Sequence, residues 1–325
     1  MVDGLIGLNL AANYVHVHQA PAARHVPVLR DQVVAALVRR PGGRYIDCTV
    51  GAGGHAEAIL TAAGLTAQLL GIDTDPLALA AARERLTQFG SQVILVQGNF
   101  RRLAGIAKRY SFEQVNGIVL DLGMSSMQLA DETRGFSFKS QGVLDMRFDP
   151  SQGITAAEFL NSGTEREIAE ALRAFGEEPL ARRIAKQIVS LRPIRTSEDL
   201  AHAVRLAVPP ARVADALARV FQAVRIVVND ELEALQEALK QAVSLLLPGG
   251  RLAVISFHSL EDRIVKRFLK CESATCLCPP ELPRCVCGHQ PRMRFVTRAP
   301  IVPGLAEVER NPRSRSAKLR VAEKT

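Results

Sequence analysis

A chain of 325 residues, 47% of them hydrophobic, can bury a large core, either as one large domain with an insertion or as two domains. Its longest apolar runs, such as AVSLLL, are too short to cross a bilayer as helices, so no membrane partner is expected and a cytoplasmic setting is. Lys plus Arg number 41 against 33 Asp plus Glu, a net charge of +8, and residues 288–325 hold nine of the cations (292, 294, 298, 310, 313, 315, 318, 320, 324) against three Glu (307, 309, 323). A basic end of this kind suits a phosphate-contacting surface as well as a solvated tail.

In chain order, residues 1–24 lack the basic start and the Arg-rich amphipathic pattern of a signal or transit peptide; they are expected to form a mobile N-terminal extension. RYIDCTV reads as a strand that runs into the glycine turn GAGGHA and the helix HAEAILTAA. QLLGIDTD is a second strand, and PLALAAARERLTQF a helix whose Pro76 suits a first turn. QVILVQGNF and NGIVLDLG are two further strands. This alternation implies a parallel, doubly wound sheet. From about Thr155 to Leu246 the period is almost wholly helical, ending in one long run, VADALARVFQAVRIVVNDELEALQEALKQAVSLL. A strand, GRLAVISF, returns after a Pro-Gly-Gly stop, followed by the helix EDRIVKRFL, a Cys/Pro loop, and the short strands MRFVTRAP and AKLRVAEK. The order predicts a Rossmann-like α/β domain, interrupted by helices and completed from the C-terminal side.

Gly51, Gly53 and Ala56 fit the G-x-G-x-x-G/A pattern, and Asp73 closes the next strand twenty residues after Gly53, where a carboxylate can accept from ribose hydroxyls. Taken alone this suits a nicotinamide dinucleotide. Asp47, four residues before Gly51, shifts the reading, because an acid near the turn favours a cationic ligand. S-adenosylmethionine, with a ribose, an ammonium and a sulfonium, has that character. Asn99 and Phe100 close the third strand, where an adenine can be stacked or edge-bonded, and Asp121 closes the fourth. Ligands of such sheets bind outside the carboxyl ends of the strands, so Asp47, Asp73, Phe100 and Asp121 are expected to share one crevice.

The segments HVPVL, DCTVGAGGH, GIDTDP, DLGMSSMQL, RGFSF, LDMRFDP, FQAVRIVVNDELEAL, LPGGRLAVISFHSLEDRIVKRF and NPRSRSAKLRVAEK resemble, in this order, the MraW-type family of bacterial small-subunit ribosomal RNA cytosine-N4 methyltransferases. The resemblance runs from His25 to Lys324. It implies a class I, Rossmann-like S-adenosylmethionine-dependent methyltransferase (residues 25–133 and 229–325) with an inserted all-helical domain (residues 134–228) that recognises substrate. It implies methylation at the exocyclic N4 amine of one cytidine in the decoding region, on an assembled or nearly assembled small subunit. Its cofactor contacts fall on Gly53, Gly54, His55, Asp73, Phe100, Asp121 and Gln128. SQGVLDM and VADALARVFQ depart from the family's usual segments at the start and end of the insertion, and substrate contacts there are expected to differ.

For the chemistry, the acceptors available to orient a cytosine amine are Asp121, Ser125 and Ser126, with His258 at the end of a later strand facing the same base. Phe136, Phe138 and Phe257 are candidates to stack it, each against a core role. Arg-bearing helices such as LARRIAKQ and the basic end are expected to meet RNA. No covalent nucleophile is required, so Cys48 is given no such role. Five cysteines fall between 271 and 287, and Cys276, Cys278, Cys285 and Cys287 make two C-x-C pairs six residues apart. The familiar zinc spacing is C-x-x-C, so a Cys/Pro surface loop is preferred here to a zinc knuckle. Two rival readings stand beside the methyltransferase: a nicotinamide-dependent oxidoreductase, and a non-catalytic ribosome-assembly factor. The oligomeric state is left open between monomer and homodimer.

Overall fold

The computed structural model describes residues 27–138, 142–279, 282 and 284–325; the expected extension at 1–24 lies outside these residues. Seven strands form one sheet: β1 (Arg44–Asp47), β2 (Gln68–Asp73), β3 (Val93–Gln97), β4 (Val115–Asp121), β5 (Leu246–Ser256), β6 (Met293–Phe295) and β7 (Lys318–Lys324), in the order β3-β2-β1-β4-β5-β7-β6. The first five are parallel, and β7 lies antiparallel between β5 and β6. Covering both faces requires apolar side chains on both, and alternate strand residues divide accordingly. Tyr45, Leu69, Val119 and Ala253 pack with α1 (Arg30–Leu37), α2 (Gly54–Ala63) and α3 (Pro76–Leu86). Ile46, Leu70, Ile118 and Leu252 pack on the other face with α4 (Leu103–Arg109), α11 (Glu231–Leu245) and α12 (Ser259–Glu272).

Between β4 and β5 the chain forms α5 (Ser126–Ala130), α6 (Ala156–Ser162), α7 (Glu165–Gly176), α8 (Ala181–Ser190), α9 (Ser197–Ala207) and α10 (Val213–Asn229). Apolar residues from Phe136 to Val224 gather into a third core of their own. Three of these helices begin at a threonine whose hydroxyl accepts from the third residue on, while the acid there (Glu158, Glu167, Asp199) accepts from the threonine's backbone N–H. These reciprocal caps satisfy donors that the helix leaves open. A last short helix, α13 (Leu305–Arg310), precedes β7.

Two elements differ from expectation. The helical run after Val213 is not continuous: Asp230 adopts φ +50°, ending α10 and starting α11. An aspartate tolerates this left-handed backbone better than the β-branched Ile226, Val227 and Val228 of the preceding turn would, and Arg225 bridges the break with two bonds to Glu231, at 2.7 and 2.9 Å. β5 starts at Leu246 rather than after the glycines, pairing with Val115 before an irregularity carries the chain to Gly117 and Arg251.

Charged pairs fasten β7. Arg251 and Glu323 are register partners on β5 and β7, joined at 2.9 Å and mostly buried, with Arg294 of β6 on the same carboxylate. Arg320 and Lys318 hold Asp262 of α12, at 2.6 and 3.5 Å. Removing one partner of such a pair leaves the other charge desolvated and alone. Glu323→Ala should therefore destabilise the protein by on the order of 3 kcal/mol. Urea denaturation followed by circular dichroism reads this; an unshifted midpoint would show that the pair holds nothing.

Candidate functional site

The sheet's C-terminal edge carries the site. β1 ends at Asp47, which is fully buried, and Thr49 N–H donates to its Oδ1 at 3.1 Å. The chain then turns through Gly51 (φ +52°) and Gly53 (φ +82°), the residue that begins α2. Side chains strain such backbone, so glycine leaves bare peptide facing the cleft. At Gly54 the constraint is space instead: a Cβ there would stand 3.0 Å from Pro27. Asp73, at the end of β2, holds this turn. Gly51 N–H donates to one of its oxygens at 2.8 Å and Asp75 N–H to the other at 2.9 Å. Burial raises the Asp73 carboxyl above its ordinary value, and these backbone bonds oppose that rise.

Asp121 ends β4, and its backbone N–H donates to the Thr49 hydroxyl at 2.7 Å, tying the turn to the neighbouring strand. Its Oδ2 lies 3.4 Å from Nε2 of His55, which is 4% exposed. Asp121 Oδ1 and Asp47 Oδ2 are buried with no hydrogen-bond partner among the described residues. Burial pushes the Asp47 carboxyl up to about 7, with Asp121 and Asp73 adding to the rise and His55 opposing it. For His55, burial alone would lower the imidazole; Asp121 and then Asp47 outweigh it, and the value is raised. Cys48 is buried beside Asp47, and burial pushes its thiol well up, an inert setting.

The cleft brings together Gly51, Gly54, His55, Asp73, Asn99, Phe100, Asp121, Ser125 and Gln128, with Gly53 at the turn behind them. Ser125 and Gln128 are partly engaged, because each caps the other at the start of α5. Gln128 also donates to Asp75 at 3.0 Å. The side chain of Ser126 lies outside the description. His258 is placed at the start of α12, where Glu261 N–H approaches its Nδ1 at 3.5 Å and Glu261 Oε1 its Nε2 at 3.2 Å. From this turn Phe257 and Glu261 line the cleft. Of the aromatic candidates, Phe136 stacks on Phe148 with ring centres 5.7 Å apart, and Phe138 meets Phe221 edge-on in the helical core; Phe257 faces the cleft.

Several lining or supporting residues escaped the sequence reading. Asp75 caps α3 through Leu77 N–H and also receives Gln128 and Arg134, whose guanidinium reaches the Arg147 and Phe148 carbonyls at 2.7 and 3.0 Å. Asn229, Glu231 and Phe148 close the far wall. Their spacing from the glycine turn is set by tertiary packing; a charged NDE inside an apolar helical run was the available signal.

The buried acid has a consequence for pH. Between the ordinary carboxyl value of 3.8 and about 7, the unfolded chain has lost the Asp47 proton while the folded one keeps it. The folded state then binds more protons, so stability falls as pH rises. His55 acts in the same direction, since its contribution is present below its ordinary 6.5 and lost as pH rises through the raised folded value. Chemical denaturation between about pH 5 and 8 should show stability falling, with Asp47 supplying at most about 1.4 kcal/mol per pH unit. Asp47→Asn should remove most of that slope; equal slopes in both proteins would mean the carboxyl ionises freely.

Comparisons with known proteins agree with the geometry. The model of the MraW methylase family matches residues 22–325. The protein named Ribosomal RNA small subunit methyltransferase H from Thermomicrobium roseum is 52% identical over 304 residues, covering 92% of this chain and 93% of that protein. Its namesake from Dehalococcoides mccartyi is 51% identical over 302 residues, covering 92% of this chain and 86% of the relative. That from Heliobacterium modesticaldum is 47% identical over 307 residues, covering 92% and 98%. Matched along nearly all of its described length, with the strand order of a Rossmann-like methyltransferase, the chain belongs to the MraW methylase family.

Proposed function

We propose that the protein transfers a methyl group from S-adenosylmethionine to the exocyclic N4 amine of a cytidine in the decoding region of small-subunit (16S) ribosomal RNA. The observation that carries this reading is the acidic cleft. Asp73 and Asp121 line it beside a bare glycine turn, with Asp47 buried behind. A cationic cofactor with a ribose suits that lining, whereas the pyrophosphate of a nicotinamide dinucleotide would face the carboxyl groups of Asp73 and Asp121. The unpartnered oxygens of Asp47 and Asp121 await a donor or a positive charge. The name the relatives carry supports ribosomal RNA as substrate, and the family resemblance supports the cytidine and its amine.

Asp73 would accept from the ribose hydroxyls, Asn99 and Phe100 would hold the adenine, and the backbone from Gly53 to His55 would lie against the amino-acid tail. S-adenosylmethionine supplies an electrophilic methyl group on a sulfonium. A cytosine amine is a weak nucleophile because its lone pair is shared with the ring. Asp121 Oδ1 would accept one amine N–H, turning the lone pair toward the methyl carbon and taking the proton the nitrogen gives up. His55, with Nε2 at 3.4 Å from Asp121 Oδ2, would hold that carboxylate in place, leaving Oδ1 turned to the amine. Ser125 stands at the same strand end and Phe257 on the opposing wall, where the flipped-out base would stack.

The helical segment and the basic end would meet the RNA. α8 presents Arg182, Arg183 and Lys186 outward. Of the nine C-terminal cations, Arg292, Arg294, Lys318 and Arg320 pair with carboxylates. Arg313 and Arg315 are exposed, and Arg313 lines the cleft.

Incubating unmethylated small subunits with labelled S-adenosylmethionine, then analysing nucleosides, tests the reading directly. N4-methylcytidine is expected. Absence of any labelled nucleoside from a protein that binds the cofactor would leave the assembly-factor reading in its place, and calorimetric binding of a nicotinamide dinucleotide instead would leave the oxidoreductase. Asp73→Ala should weaken S-adenosylmethionine binding tenfold or more, about one 1.4 kcal/mol step. Asp121→Asn should keep that affinity within a few-fold and lose methyl transfer by about a hundredfold at saturating cofactor, about 2.7 kcal/mol. The reverse pattern would exchange the two assignments. Replacing Arg313 and Arg315 with Ala should leave cofactor affinity intact, weaken subunit binding and lower its salt dependence by about one unit per lost phosphate contact. An unchanged salt slope in a normally folded variant would show that these arginines are merely solvated.

A further inference from the structure

Away from the cleft, the sulfurs of Cys276, Cys278, Cys285 and Cys287 all lie within 4.8 Å of one another. Cys276 Sγ stands 3.4 Å from Cys285 Sγ and 3.9 Å from Cys287 Sγ, and the last two are 3.6 Å apart. A tetrahedral four-thiolate zinc ion, with Zn–S near 2.3 Å, has sulfur–sulfur edges of about 3.8 Å. The three distances among Cys276, Cys285 and Cys287 are close to that, and Cys278 lies within the same 4.8 Å. They are also far longer than the roughly 2.05 Å of a disulfide. A C-x-C step makes such convergence easy, because side chains two apart on an extended chain share a face.

Two independent observations point to a ligand. Backbone amides are aimed at the sulfurs: Leu277 and His289 N–H at Cys287, Cys278 N–H at Cys276, and Val286 N–H at Cys278, at 3.3–3.5 Å. Donors around sulfur favour the thiolate that a metal needs. The second observation is the lack of any other organiser. Between α12 and β6 the described residues form no helix or strand, and Leu277, Leu282 and Val286 point outward. A segment with no apolar core of its own has little to offset the entropy of ordering, and a bound metal supplies that. The base of the segment is already anchored, by Arg292 on Glu272 at 2.6 and 2.7 Å and by His289 Nε2 against the Cys271 carbonyl at 3.0 Å.

We propose that Cys276, Cys278, Cys285 and Cys287 form a structural zinc site, closed by four thiolates. The site lies outside the cleft and leaves no open position for substrate, so it holds the segment and takes no part in methyl transfer.

The full-length protein, purified with reductant and no added zinc, should carry about one zinc per chain by elemental analysis. Stripped with a chelator under reductant, it should bind about one equivalent of cobalt(II), with the visible bands of a tetrahedral thiolate complex, and zinc should bleach them. Replacing Cys276 and Cys285 together with Ser should abolish the colour while S-adenosylmethionine affinity stays within twofold of the parent. If that variant does not fold, the parent's cobalt titration decides alone. A folded, reduced parent that takes up neither metal overturns the proposal. So does iron in place of zinc, or disulfides within the cluster in unreduced protein by mass spectrometry.

Discussion

Asp47, Asp73 and Asp121 end three adjacent parallel strands, and the repulsion among these acids is the constraint around which the centre of the molecule is arranged. Neighbouring carboxylates in low dielectric cannot all stay charged without compensation. Each is handled differently here. Asp73 spends its oxygens on backbone amides of the glycine turn and of Asp75. Asp121 leans on His55, and Asp47, with the least compensation, holds its proton to about neutrality. The turn, the first residues of α2 and the loop after β4 all take their positions from these contacts. Even so, one oxygen of Asp47 and one of Asp121 are left without a hydrogen-bond partner among the described residues.

Much of the sheet was legible because its physics is local. Apolar runs of strand length, each ended by glycine or an acid and followed by a helical period, admit little besides a parallel α/β sheet. The same punctuation marks strand ends, which is why Asp47, Asp73, Phe100 and Asp121 were all expected in one crevice; the last three line it, while Asp47 is fully buried and does not. What stayed hidden was non-local or conformational. The break at Asp230 leaves the apolar period on either side undisturbed, so nothing in the pattern of hydrophobic residues betrays it. The convergence of Gln128 and Arg134 on Asp75 joins residues more than fifty positions apart. His258 looked like a reactive group at a strand end; the fold uses it to open α12, with Glu261 beneath it. The four cysteines were visible in the sequence as a cluster; their mutual distances, on which the zinc proposal rests, were not.

Charge shows the same divide. Composition puts a strongly basic stretch at the C-terminal side, and from composition alone every cation in it is available to RNA. Four of the nine instead lie against acids of α12 or β7, where they fasten the sheet. The unpaired basic surface that remains is smaller and more localised than the sequence suggests, and it includes Arg313 at the cleft.

The position of β7 bears on how the protein is made. It comes after every other described element in the chain, yet it lies inside the sheet, between β5 and β6. During synthesis β1 to β5 can pair as they emerge, but the flank of β5 stays open, with Arg251 unmatched, until residues 318–324 leave the ribosome. An exposed strand edge carrying an arginine without its carboxylate partner is a poor template for pairing with another chain. The same arginine that later locks β7 in place would thus guard the unfinished sheet against aggregation during the interval before β7 pairs.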